Sequence, residues 1–189
     1  MAAVVSGAGG PTAARIAAVL FDIGDTLVHA APPGTAVAEL RVAPIGNVVA
    51  ELTELGRRYR LGAVTDTSVM SGDDVRRVLA GSGLDDLLEV VVSSVDVGAA
   101  KPDPRGLVVA MTRLGVSADE TLFVGDADVD EQAARTAGVR FVRAGGGRSP
   151  GPRVAATLAA IGWSNLPGWY RAGRRGDEVR FDSGTVPQR

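Results

Sequence analysis

Carboxylates are the main chemical resource of this chain. It has no cysteine and a single histidine, His29, so disulfides and thiolate chemistry are excluded and a multi-histidine metal site is impossible. The acidic residues fall in short clusters: Asp22-Ile23-Gly24-Asp25-Thr26, Thr65-Asp66-Thr67-Ser68 and Gly125-Asp126-Ala127-Asp128-Val129-Asp130 each end an apolar run, while Lys101 precedes Pro102-Asp103-Pro104. Asp22, with a glycine close behind to let the chain bend, suits a metal ligand, a nucleophile or a turn cap. Two acidic tips beside a lysine suit a hard divalent cation with a bound phosphate. Mg²⁺ takes a few oxygen ligands, keeps water and shares phosphate oxygens; the lysine balances charge and the Thr65 hydroxyl donates to a phosphoryl oxygen.

These residues need a scaffold that brings distant clusters to one place. The 189 residues are 46% hydrophobic with a formal net charge of −2, as expected of one domain with a full core and no affinity for nucleic acid or an anionic membrane. No apolar run approaches the roughly 20 residues of a membrane span. Residues 1–15 read as a flexible lead-in without the basic start of a secretory signal, which favours a cytoplasmic location. Apolar runs predict strands at 16–21, 61–64, 87–92, 121–124 and 139–142, and helical spacing predicts helices at 44–58, 73–80 and 104–114. A further helix ends at Ala137, a last one spans 154–161, and the chain beyond reads as irregular. Strands alternating with helices imply a mostly parallel sheet in three layers, α/β/α, with every polar cluster on one rim.

Four ordered motifs, Phe21-Asp22-Ile23-Gly24-Asp25-Thr26-Leu27, Val64-Thr65-Asp66-Thr67-Ser68, Gly98-Ala99-Ala100-Lys101-Pro102-Asp103-Pro104 and Val124-Gly125-Asp126-Ala127-Asp128-Val129-Asp130, make the chain resemble the haloacid-dehalogenase superfamily over residues 16–145. The resemblance implies a Rossmann-like five-stranded sheet in the order 5-4-1-2-3 and a Mg²⁺-dependent phosphatase. Asp22 would be the nucleophile, forming an aspartyl-phosphate; Thr65, with Asp66 beside it, would bind the phosphoryl group, and Lys101 would neutralise Asp22 and the phosphate. Asp22, Asp126 and the backbone carbonyl of Gly24 would ligate Mg²⁺, and Asp130 would hold a metal-bound water or orient Lys101.

Departures from the family pattern sharpen these expectations. Phosphatases of the superfamily usually carry a second Asp two residues after the nucleophile as general acid and base, where this chain has Gly24. Asp25 and His29 are the substitutes at hand, Asp25 the nearer, although its side chain has the alternative of capping the turn. Asp66 stands where an asparagine is common and adds negative charge beside the phosphate. The gaps that hold cap modules in relatives are too short for one here, which implies an open site serving a phosphorylated small or large substrate, or closed by a second copy or another partner. Two other readings follow from Gly24: a phosphate- or partner-binding domain with weakened catalysis, and carbon–halogen or carbon–phosphorus hydrolysis.

Overall fold

In the computed structural model, residues 15–160 are described, apart from 33, 146 and 149. Most of the lead-in read at 1–15 and the irregular tail read beyond the last helix lie outside the described residues. β1 (Ala18–Phe21) is buried at every residue and forms the centre of a parallel sheet. It pairs with β2 (Arg60–Thr65) on one side and β4 (Thr121–Gly125) on the other; β3 (Val90–Ser93) and β5 (Arg140–Arg143) close the two edges. The order β3-β2-β1-β4-β5 is the one the resemblance implied, read from the opposite edge. Both faces of the central strands are covered, which explains why β1, β2 and β4 read as continuous apolar runs rather than alternating ones.

Helices α1 (Val48–Gly56), α2 (Gly72–Leu79) and α6 (Gly151–Ala160) cover one face, and α4 (Arg105–Leu114) and α5 (Asp128–Ala137) the other. On the first face Val19, Phe21, Leu61 and Val124 pack with Val48, Leu52, Leu55, Val75, Leu79 and Val154. On the second, Leu20, Val64, Val92 and Phe123 pack with Leu107, Ala110, Leu114, Ala133 and Ala134. Odd and even residues of each strand thus feed separate cores, as the two-residue period requires.

The elements match their predicted positions, with differences at the ends. α1 starts four residues later than its apolar spacing suggests. Pro44 forms an antiparallel bridge to Val28, and Gly46 adopts φ 55°, so residues 44–47 form a turn that delivers the chain to the helix. That bridge, with the His29 N–H donating to Ala43 O (2.9 Å), closes the base of the 29–43 loop, whose described residues carry a 3-10 turn at Val37–Glu39. A short helix, α3 (Ser94–Val97), follows β3 where no element was predicted; Ser93 accepts from Asp96 N–H and Asp96 accepts from Ser93 N–H. The S-x-x-D spacing is a capping box, so its signal was in the sequence.

Candidate active site

The parallel register sets the tips of β1, β2 and β4 side by side, since Phe21 aligns with both Ala63 and Val124. The Asp22 N–H donates to Val124 O (2.8 Å), so the ladder extends one residue beyond β1 and holds Asp22 on the rim. Lys101, from the loop before α4, places Nζ 2.5 Å from Asp22 Oδ1 and 2.6 Å from Asp130 Oδ1, and also donates to Val64 O at 3.3 Å. All three charged side chains are buried. Burial pushes the Asp22 carboxyl up to about 7 against the pull of the Lys101 ammonium, and the neighbouring Asp130 adds to the rise. Burial also works against the Lys101 ammonium, but the two carboxylates outweigh it and hold the group above its ordinary value.

Asp130 sits on the first turn of α5, where Oδ2 accepts from Ala127 N–H at 2.9 Å. Its Oδ1 pairs with the Lys101 ammonium. Gly125 makes this seat possible: a Cβ there would lie 2.5 Å from Asp130 Oδ2 and 2.6 Å from Asp130 Cβ, closer than atoms tolerate. Asp126 is half-buried; its Oδ1 accepts from the fully buried Thr26 hydroxyl at 3.3 Å, and its carbonyl accepts from Arg143 Nη1 at 2.8 Å. Asp22, Asp126 and Asp130 each bring a carboxylate oxygen within 4.8 Å of the others. Three carboxylates gathered in one cluster, two of them paired with the Lys101 ammonium, are the oxygen donor set of a hard divalent cation.

The remaining sequence candidates occupy two different settings. Thr65 ends β2, buried on the same rim. Asp66 accepts from the Lys101 N–H through Oδ1 (3.2 Å), so it fixes the backbone that presents the lysine. The chain just beyond is clamped as well: Ser94 Oγ accepts from Thr67 N–H (2.9 Å) and donates to Thr67 O (2.8 Å). Asp25, by contrast, is exposed, has φ 52°, and its Oδ1 accepts from Ala30 N–H at 3.0 Å, the turn-capping arrangement. His29 is exposed in the same loop, and Gly24 is half-buried in a bridge with Val28. Thr26, Ser94 and Arg143 were not singled out from sequence, because each acts through a residue distant in the chain; Gly125 was not either, because its role depends on how closely Asp130 approaches it.

Removing the lysine is the sharpest structural test of this cluster. Lys101→Met leaves Asp22 and Asp130 buried as like charges, and breaking a buried pair in this way costs about 3–5 kcal/mol. Denaturant unfolding without divalent cations should show that loss, and saturating Mg²⁺ should restore part of it. A variant as stable as the parent would mean that the three charges are not coupled.

The family model described as haloacid dehalogenase-like hydrolase matches residues 34–144, well over half of the chain. A phosphatase of Mycobacterium tuberculosis is 38% identical over 114 residues, covering 58% of this chain and 52% of that protein. A phosphoglycolate phosphatase of Rhodospirillum rubrum is 35% identical over 138 residues, covering 71% of this chain and 53% of that protein. The chain thus spans about half the length of these curated relatives. Among solved structures, a predicted HAD-like family hydrolase of Porphyromonas gingivalis superposes with a TM-score of 0.60 at 17% identity, covering 77% of this chain and 98% of that one. The model match extends from the loop after β1 to the end of β5, across the Thr65, Lys101 and Asp126 motifs, and on it the chain belongs to the haloacid dehalogenase-like hydrolase family.

Proposed function

We propose that the chain is a divalent-metal-dependent phosphatase of phosphate monoesters, with Asp22 as nucleophile. The observation that carries this reading is the carboxylate of Asp22 at a strand tip, 2.5 Å from Lys101 Nζ and in one cluster with Asp126 and Asp130. Asp22 Oδ attacks phosphorus as the bond to the leaving oxygen breaks, giving an aspartyl-phosphate that water then hydrolyses. Lys101 and the Thr65 hydroxyl meet the equatorial phosphoryl oxygens, and Asp66 keeps Lys101 in register. Mg²⁺ held by Asp22, Asp126, the Gly24 carbonyl and Asp130, directly or through water, would supply charge neutralisation at the transferring group. The reading further places the chain in the cytoplasm, with an open site: among the described residues, the connections 22–47 and 94–104 contain only a 3-10 turn and α3 as helical elements. Closure would come from the substrate itself, a second copy or another partner. No helix among the described residues is long and apolar enough to cross a membrane.

Phosphate release from a panel of monoesters, phosphoglycolate included because a relative carries that name, tests the proposal with Mg²⁺ and with chelator. Metal-dependent turnover supports it. Mg²⁺ binding without release from any substrate would favour the alternative that Gly24 motivates, a phosphate- or partner-binding domain; halide or carbon–phosphorus cleavage would favour the third.

The proton path has its own test. Asp25 already holds the Ala30 N–H, and asparagine keeps both that bond and a positive φ. Asp25→Asn should therefore retain activity within about threefold if the side chain caps the turn. A loss in the 10²–10⁴-fold range that general acid–base catalysis is worth would instead assign it the proton.

A further inference from the structure

Arg143, at the tip of the edge strand β5, connects three parts of the rim. Its Nη1 donates to the carbonyl of Asp126 (2.8 Å), and its Nη2 meets Asp128 Oδ1 (2.9 Å) and Glu131 Oε2 on the first turn of α5. The guanidinium lies over the Phe141 ring, 5.5 Å from its centroid. Its own carbonyl accepts from Arg153 Nη1 of α6 at 2.7 Å. A planar fork that lies over an aromatic ring and meets two carboxylates is directed at the Asp126 carbonyl it donates to. What it grips is the peptide that carries Asp126, while Thr26 holds the Asp126 side chain from the other side.

We propose that Arg143 is a positioning residue for cation binding: it fixes the Asp126 peptide so that the carboxylate stands ready beside Asp22 and Asp130. The inference rests on the metal site of the preceding section and goes beyond it. Groups that orient ligands typically change metal affinity by about 10–100-fold when removed. Charge alone predicts the opposite sign. Taking a cation away from a rim that holds Asp126, Asp128, Asp130 and Glu131 should tighten divalent binding, so weaker binding separates positioning from electrostatics.

The measurement is the Kd for Mg²⁺ by calorimetry on the whole chain, with a melting temperature for each variant. Arg143→Met should weaken Mg²⁺ binding about tenfold or more. Arg143→Lys keeps the charge but lacks the fork, and should weaken binding in the same direction. Arg58→Met removes another arginine paired with a carboxylate, Glu54, beyond the end of α1 on the opposite rim, and should leave the Kd unchanged. Should Arg143→Met fail to fold, Arg143→Lys decides alone. Unchanged or tighter binding in the Arg143 variants, with the parent binding normally, overturns the role of Arg143. A parent that binds no Mg²⁺ at millimolar concentration overturns the metal site itself and this inference with it.

Discussion

Asp22→Asn should abolish phosphate release while stabilising the metal-free fold. Loss of a nucleophile that acts as a unit with its neighbours costs about 10⁴-fold or more in turnover, and asparagine cannot form the acyl-phosphate. The stability gain has a different origin. Burial lifts the Asp22 carboxyl to about 7, far above its value in an unfolded chain. Between about pH 4 and pH 7 the metal-free native state therefore holds a proton that the unfolded state has released. Stability falls as pH rises across that window and levels off above it. Asparagine removes this decline and leaves Lys101 paired with Asp130 alone. With chelator at about pH 8, the variant should gain on the order of 1–3 kcal/mol, seen as a melting temperature several degrees higher. With Mg²⁺ the order should shrink or reverse, because the parent keeps a ligand that the variant lacks. A dead variant with unchanged metal-free stability would mean that Asp22 is not held in a costly ionised state; an active one would remove it as nucleophile.

The central charges were legible in the sequence because each lies in a polar segment that follows an apolar run, and a parallel sheet brings such positions together. Asp22, Lys101, Asp126 and Asp130 thus converge from three separate motifs. Local reading could not show what holds them. Asp66 reaches Lys101 N–H across 35 positions and Thr26 reaches Asp126 across 100, so neither link leaves a trace in spacing. At the start of α5, Asp128 pairs with Arg143, and Asp130 bonds the Ala127 N–H. Helix ends show the same limit: the apolar period of α1 runs back to residue 45, but the bridge of Pro44 to Val28 keeps those residues in a turn. Local signals of the capping-box type were readable in both α2 and α3.

Gly24→Asp should raise turnover, and by more for poor leaving groups than for good ones. Position 24 is where phosphatases resembling this chain carry their second Asp. The backbone accepts a side chain there, since Gly24 is absent from the positive-φ glycines and a Cβ would meet only Ala30 Cβ, at an ordinary 3.7 Å. With Asp25 engaged by Ala30 N–H, the parent offers the departing oxygen no evident proton. An alkyl phosphate, whose leaving alkoxide is strongly basic, suffers most from that lack. A phosphate of an acidic phenol leaves without help. A positioned carboxylic acid is worth about 10²–10⁴-fold, so kcat/KM for an alkyl phosphate should rise by about 10²-fold while that for p-nitrophenyl phosphate changes little. Gly24→Asn supplies the same shape without the proton and should give neither effect. If Gly24→Asp binds Mg²⁺ normally yet leaves the two substrates in their original ratio, the proton already has a route, and His29 or Asp25 must be supplying it.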